Sequence, residues 1–293
     1  MSEARIYDQG YRRYEGARLG PRSAVFSVWR QTVQRILGLR RSARHKVLPI
    51  LAIAIAYLPA IAFIGILALI PAGRGGDVRA GIPTYSQYFF FTNAAILLVS
   101  VFSAPEALCP DRRNRSLSLY LASPLTRESY LVAKALAVFT VLCIVTIGPL
   151  LLLLIGYVLQ NHGPDGPFQV LITLLRIIGA GAAVSAFATA FSLAVSSLTD
   201  RRGLATGAAL IALMTTHAAA GVLAFGLRLS RTAGLLSLLI APFELASRIL
   251  KAPAGGLALA GVPTVTVAAA VGAWTLACGL LVWARYAALR VTR

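Results

Sequence analysis

The sequence predicts an all-α integral membrane protein with six transmembrane helices, and three observations lead to that class. Of its 293 residues, 58% are hydrophobic and only 13% are charged, about half the charged share of a typical soluble domain. Six runs carry no Asp, Glu, Lys or Arg: residues 47–71, 86–105, 135–160, 177–199, 203–227 and 252–284. Each run is long enough for the roughly 20 residues of helix that cross a bilayer. Helices satisfy their own backbone groups in lipid, and the segment alternation typical of a β-barrel is absent.

The charge-free runs place the spans at residues 47–70, 85–104, 130–159, 168–198, 204–227 and 264–286. Pro59 lies inside the first span and predicts a kink there. The fourth span is rich in Gly, Ser and Thr spaced about one helical turn apart, a pattern that lets helices approach closely in lipid. The spans and their connections make residues 42–293 one six-span domain.

The distribution of positive charge predicts the orientation. The net charge is +18. If the chain starts in the cytoplasm, the cytoplasmic segments hold 21 Lys and Arg residues and the outer segments hold 6. Cytoplasmic loops of membrane proteins carry the excess of positive charge, so both termini are expected on the cytoplasmic side of the cell (plasma) membrane. The Arg-rich, Ala-rich composition is typical of a bacterial protein. No nucleic-acid-binding motif accompanies the charge, so lipid and not nucleic acid is the expected contact.

The N-terminal region divides into two parts before the first span. Residues 1–22 form a polar tail without the apolar core of a signal peptide, and we expect it in the cytoplasm. Residues 23–41 predict an amphipathic helix, because Val25, Trp29, Val33 and Ile36 recur at helical spacing opposite Arg30. A basic amphipathic helix beside a span is typical of the membrane interface. The alternative is a helix packed as in a soluble protein.

Residues 105–127 form a segment that is too polar to cross the membrane and too apolar for a free loop. Basic residues alternate there with leucines, which favours a surface that docks on a protein partner. The alternative is a solvated run of charge that only fixes the topology. The candidate contact residues are Glu106, Arg112, Arg113, Arg115, Leu117, Leu119 and Arg127.

Residues 228–263 contain a second unusual segment, just before the last span. Its apolar stretch LLSLLIAPF is too short to cross a bilayer, and Pro242 interrupts it. Such a stretch predicts a re-entrant helical hairpin on the outer side. The alternative is a seventh span, which would put the C-terminal arginines outside, against the charge rule.

The chemistry-bearing residues are few, and they argue against an enzyme. None of the three lysines lies in a phosphate-binding loop, so the chain lacks that route to ATP. The three cysteines show no metal-ligand or disulfide spacing, and we expect no cofactor. Arg176 and His217 are the candidates for a transport pathway inside the spans. The alternatives are an arginine that reaches toward the interface and a packed histidine.

The order of residues 105–134 resembles the membrane subunits of type-2 ABC exporters, the ABC-2 permeases. Those subunits carry a Glu after span two, a basic stretch with Ser or Thr, a Pro-Leu-Thr/Ser-Arg turn and then a Lys in span three. Here these are Glu106, residues 112–116, residues 124–127 and Lys134. The family's usual Gly-Thr-Leu is replaced by Ser-Leu-Ser-Leu at 116–119. The interfacial helix, the six spans and a broken element at Pro242 agree with the family too.

The resemblance implies a coupling helix near residues 106–119 that docks on a separate ABC ATPase subunit, which binds the ATP. It also implies a second permease copy or a paralogue, and the export of a substrate that the apolar spans suggest is apolar or amphipathic. Two other classes stay open at this point. One is an ion-gradient-driven secondary carrier, although acidic residues are scarce in the spans; the other is an intramembrane enzyme.

Overall fold

Helices and their connections make up the whole described part of the chain. The structure is a computed structural model, and it describes residues 20–39, 42–43, 46–69, 81–114, 116, 120, 125–226, 231–252 and 259–288. Those residues contain no strand. The α-helices in chain order are α1 (Pro21–Ile36), α2 (Val47–Leu69), α3 (Tyr85–Phe91), α4 (Asn93–Arg113), α5 (Arg127–Thr146), α6 (Gly148–Leu159), α7 (Gly166–Ser196), α8 (Arg202–Gly221), α9 (Ile240–Ile249) and α10 (Thr264–Ala287).

The prediction of an all-α fold with six long apolar helices is confirmed for the described residues. Six helical segments there are long and apolar enough to cross a membrane. They are Val47–Leu69, Asn93–Arg113, Arg127–Leu159, Gly166–Ser196, Arg202–Ala224 and Thr264–Ala287. The third joins α5 and α6, and the fifth extends α8 into a short π-helix at Val222–Gly226. The residues of α2 include Pro59 inside the helix.

The second span begins and ends later than predicted. The predicted start at Tyr85 belongs to a separate short helix, α3, which ends at Phe91. The hydroxyl of the next residue, Thr92, donates to the carbonyl of Phe89 at 2.8 Å. The next helix, α4, then runs to Arg113, nine residues past the predicted end, through two prolines. Proline usually ends a helix. Here the flanking turns are buried among other helices, and that packing maintains the helix.

The N-terminal helix α1 is amphipathic, as predicted, but shorter. Its buried positions are Val28, Thr32 and Ile36. It packs along α5, and the Trp29 indole donates to Thr140 Oγ1 at 3.2 Å. The helix ends because Gly38 adopts a φ of 67°, the left-handed conformation that closes many helices. Residues 1–19, most of the predicted tail, and residues 40 and 41 of the predicted helix lie outside the described residues.

The packing centre of the bundle is α7, which lies against α4, α5, α9 and α10. Its small residues permit close approach to α5, in line with the sequence. A Cβ at Gly181 would lie 2.4 Å from Ile147 Cγ1. One turn further, Ser185 Oγ lies 2.9 Å from Thr146 Oγ1, and both side chains are buried. Such contacts hold helices together in lipid, where the hydrophobic effect between helices is weak.

In the described part of the segment before the last span, the helices are too short to cross a membrane. A 3₁₀-helix, Arg231–Leu236, leads into α9, which has only 10 residues. The Trp274 indole donates to the carbonyl of Leu235 at 3.2 Å. Because Trp274 lies ten residues into α10, Leu235 is level with a point about 15 Å along that helix. Residues 227–230 and 253–258 of the predicted hairpin lie outside the described residues.

Candidate functional site

Asp111 is the centre of a buried charged cluster at one end of the bundle. We call this end the inner end, since the charge distribution predicts that it is cytoplasmic. Asp111 lies in the last turns of α4 and is only 3% exposed. One carboxylate oxygen is 2.7 Å from Arg35 of α1. The other is 2.6 Å from Lys134 Nζ of α5 and accepts a hydrogen bond from the Tyr130 hydroxyl at 2.9 Å. One carboxylate therefore joins three helices.

Lys134 is the most deeply buried charge of this cluster, at 1% exposed. Its ammonium also donates to the carbonyl of Ala107 at 3.1 Å. It lies 5.4 Å from the centre of the Tyr130 ring and 5.8 Å from that of Tyr120. A buried ammonium is costly unless it is paired and hydrogen-bonded. Asp111 and the two rings supply that compensation, and the cluster depends on all of them.

The charge of Asp111 shifts the pKa values of two side chains outside the spans, Arg35 and Tyr120. Burial alone would lower the pKa of the Arg35 guanidinium. The hydrogen bond and the negative charge of Asp111 outweigh burial and raise that pKa above its usual range. Burial raises the pKa of the Tyr120 phenol, and the charge of Asp111 raises it further. Arg35 is therefore a permanent cation in the cluster, and Tyr120 stays neutral.

A second set of contacts links the end of α4 to the turn between α7 and α8. Arg112 Nε lies 2.9 Å from Asp200 Oδ1, and its guanidinium also donates to the carbonyl of Ser197. Glu106, six residues earlier in α4, pairs with Arg202 at the start of α8. Two ion pairs therefore join α4 to its neighbours, one to the turn after α7 and one to the start of α8.

The inner end also has a basic cleft next to these pairs. It has a volume of about 1220 Å³, and four arginines line it with one carboxylate, Asp200. The arginines are Arg112, Arg113, Arg201 and Arg202. Two of them are engaged in the ion pairs above, whereas Arg113 and Arg201 are exposed. Among the described residues that line the cleft, four arginines therefore stand against one carboxylate.

The seven predicted contact residues have different environments. Glu106 and Arg112 are engaged in contacts within the chain, and only Arg113 is exposed at the end of α4. Arg127 lies at the start of α5 and donates to the carbonyl of Ala287, at the end of α10, at 3.2 Å. The other three fall outside the described residues: Arg115, Leu117 and Leu119. Tyr120, between them and Arg127, packs on Tyr130 with ring centres 5.3 Å apart.

The sequence analysis missed Asp111 because the predicted second span ends at residue 104, which leaves Asp111 in the polar segment that follows. A signal was present. Ala104, Ala107, Leu108 and Asp111 follow the i, i+3, i+4, i+7 spacing of one buried helix face. All four are buried in the structure.

The two candidate pathway residues lie in different helices, and nothing in the described part of the chain joins them. Arg176 is half-buried in α7, and no ion pair or hydrogen bond joins its side chain to another described residue. His217 Nδ1, in α8, lies 3.3 Å from Ser237 Oγ, just before α9. The hydroxyl of Ser237 also accepts from the backbone N–H of Ile240 at 3.1 Å. His217 thus contacts the short segment, whereas Arg176 stays without a partner there.

A second buried ion pair stabilises the short segment. Glu244 and Arg248, one turn apart in α9, lie 2.9 Å apart at the closest atoms. The Arg248 guanidinium also donates to the carbonyls of Val262 at 2.6 Å and Leu259 at 2.8 Å. The Arg248 side chain therefore connects α9 to the loop that precedes α10. Within the described residues, no group of three or more His, Cys, Asp or Glu side chains could hold a metal ion.

Comparison with known proteins adds no family to this description. No protein-family model matches the chain, and no curated protein matches it either. The fold and the charges therefore define only a class. The described chain is an all-α protein with six helices long and apolar enough to cross a membrane, and ion pairs join the helices at its inner end.

Proposed function

We propose that the chain is the transmembrane permease subunit of an ATP-binding cassette exporter in the plasma membrane, with both termini in the cytoplasm. A separate ATPase subunit binds and hydrolyses ATP, and a second permease copy or a paralogue completes the pathway. The substrate is apolar or amphipathic, and the chain itself is not an enzyme. The support comes from the inner end of the bundle, together with the resemblance of residues 105–134 to ABC-2 permeases.

The single observation that carries the proposal is the set of contacts across the inner end. Asp111 binds Arg35 of α1 and Lys134 of α5, and Arg112 binds Asp200 after α7. Arg127 reaches the end of α10. A force applied at the end of α4 would therefore be transmitted to several spans together. A subunit that converts the closure of an ATPase into movement of its spans needs such a connection.

The docking surface in this proposal is the exposed end of α4 and the segment that follows it. Arg113 is exposed there, while its neighbours Asp111 and Arg112 face inward. A protein interface needs buried apolar anchors, with charges that mostly steer and orient the partner. Leu117 and Leu119 are the proposed anchors. Because Glu106, Arg112 and Arg127 are engaged within the chain, their proposed role is to support the surface.

The re-entrant hairpin before the last span belongs to the same proposal. The hydrogen bond from Trp274 to Leu235 lies about 15 Å along α10 from its first residue. Arg248, further along the chain, bonds to Val262 just before α10 begins. The segment thus returns from the depth of the bundle toward the start of the last span. His217, which contacts Ser237 of this segment, and Arg176 are the proposed pathway residues.

The test replaces the two proposed anchors. In a Leu117→Asp, Leu119→Asp variant, two carboxylates would be buried without partners at the contact, a change that costs several kcal/mol. We expect the variant to insert and fold, to lose its ATPase subunit on purification and to lose ATP-dependent transport. The matched control is Ser116→Asp, Ser118→Asp, which adds the same charge and keeps both leucines. It should weaken the association only modestly, in a salt-dependent way.

Two results would contradict the proposal. The first is an anchor variant that keeps its ATPase subunit, identified by mass spectrometry, together with full ATP-dependent transport. The second is transport by the purified chain alone on an ion gradient, which would make it a secondary carrier. Turnover of a substrate without transport would favour the intramembrane enzyme.

A further inference from the structure

Two cavities at the inner end meet at the start of α8. The larger is the basic cleft, in which Arg113 and Arg201 make no ion pair with any described residue. The smaller has a volume of about 360 Å³ and lies between α1, α2, α4 and α8. Arg202 and Gly203 line both. The two cavities therefore adjoin at these two residues, and we call them together the groove; one end of it is basic and the other differs in character.

The smaller cavity is lined by apolar side chains at the start of the spans and by three charged ones, Arg35, Glu106 and Arg202, each of which is ion-paired within the chain. Leu48, Pro49 and Phe102 line it, and Leu48 is 49% exposed. Leu204, on the lining of the basic cleft, is 59% exposed at the first turn of α8. Both leucines lie at the first turns of segments long and apolar enough to span a membrane. The groove is therefore basic at one end and apolar at the end that faces the predicted lipid.

We propose that this groove binds one anionic phospholipid of the inner leaflet. The phosphate lies between Arg113 and Arg201, and an acyl chain lies against Leu48 and Leu204. Guanidinium groups bind phosphate through paired, charge-assisted hydrogen bonds. Basic pockets between transmembrane helices suit anionic headgroups. The start of α8 also suits an anion, because no side chain caps that helix and its first backbone N–H groups are left to bind one.

The groove fits a lipid better than it fits a protein segment. A soluble acidic peptide would satisfy the arginines but would leave the exposed leucines at the start of the spans uncovered. A phospholipid satisfies both ends at once, and the groove lies at the first turns of two segments that are long and apolar enough to span a membrane. The site does not depend on the proposed ATPase contact, because all of its residues belong to this chain.

The experiment measures lipid binding to the purified chain without any partner. Native mass spectrometry and thermal unfolding are followed with phosphatidylglycerol, with phosphatidylcholine and with inorganic phosphate. We expect phosphatidylglycerol to bind about tenfold or more tightly than phosphatidylcholine, because both lipids carry a phosphate but only phosphatidylglycerol has a net negative charge to attract the arginines. Its binding should also raise the midpoint of unfolding. Inorganic phosphate alone should protect little. Equal binding of the two lipids, or equal protection by phosphate, would overturn the proposal.

Three variants locate the site. Arg201→Gln should weaken binding of phosphatidylglycerol about tenfold, and Arg201→Lys should restore part of it. Gly203→Leu keeps every charge and fills the junction of the two cavities, where a Cβ meets nothing within 4 Å; it should abolish the preference. The control is Arg30→Gln on the exposed face of α1, which should change nothing. If Arg201→Gln and Gly203→Leu keep wild-type lipid binding, the lipid does not occupy this groove. If Arg201→Gln loses the ATPase subunit but keeps wild-type lipid binding, the cleft belongs to the protein partner and not to a lipid.

Discussion

Replacing Asp111 by asparagine removes the single negative charge of the buried cluster and keeps the side-chain shape. Lys134, at 1% exposed and 2.6 Å from the carboxylate, then becomes a buried cation without a counter-charge. Removing one partner of a buried ion pair costs about 3–5 kcal/mol. The Arg35 side chain is 18% exposed and can turn toward water, so its loss adds at most about 1 kcal/mol.

We therefore expect Asp111→Asn to lower the free energy of unfolding by about 4 kcal/mol. The measurement is SDS titration of the chain in mixed micelles, followed by the fluorescence of its tryptophans. The reciprocal variant Lys134→Met should cost less, because Asp111 keeps Arg35 and Tyr130 as partners. The double variant should be more stable than the sum of the two single losses predicts, by at least about 1 kcal/mol. The reason is that it removes both buried charges together and leaves neither without its partner.

The reasoning fails if Asp111→Asn stays within about 1 kcal/mol of the wild type, since that is the range of an exposed ion pair. It also fails if the two single losses simply add in the double variant, because additivity means that the two groups do not interact. Ser116→Ala, at the following turn, is the control for changes at the end of α4 that leave the ion pairs intact.

Three further predictions concern orientation and packing. In a cysteine-free background, single cysteines at positions 10 and 292 should react with an impermeant maleimide only from the inside, and those at 76 and 164 from the outside; outside labelling at 292 would end the six-span arrangement. Cysteines that replace Arg231 and Lys251 should both react from the outer side, whereas labelling from opposite sides would establish a seventh crossing. Gly181→Ala should lower the free energy of unfolding by about 1–3 kcal/mol, because its Cβ would lie 2.4 Å from Ile147 Cγ1. Gly207→Ala, where a Cβ meets nothing within 4 Å, should leave that free energy unchanged or raise it by up to about 1 kcal/mol; equal losses in both variants would contradict the close approach.

The site shows where sequence reasoning reached its limit. The sequence identified the stretch from Glu106 to Arg127 as unusual, and the structure brings Glu106 and Arg112 into ion pairs beside the exposed Arg113. The sequence could not show that the first two have partners within the chain. The pair Arg35 and Asp111 is separated by 76 residues, so no local pattern could connect them. Whether Leu117 and Leu119 contact a partner stays a prediction.

By itself, the sequence determined the helical class and the number of long apolar helices. Both follow from local properties: an apolar run of about 20 residues has the length of a span, and only a helix satisfies the backbone within it. Only the tertiary structure decided that α4 continues past two prolines to Arg113 and that Asp111 is buried between two cations. The physical reason is that the energy of a charge depends on its distance from other charges and on its burial. Both are set by the packing of helices that lie far apart in the chain.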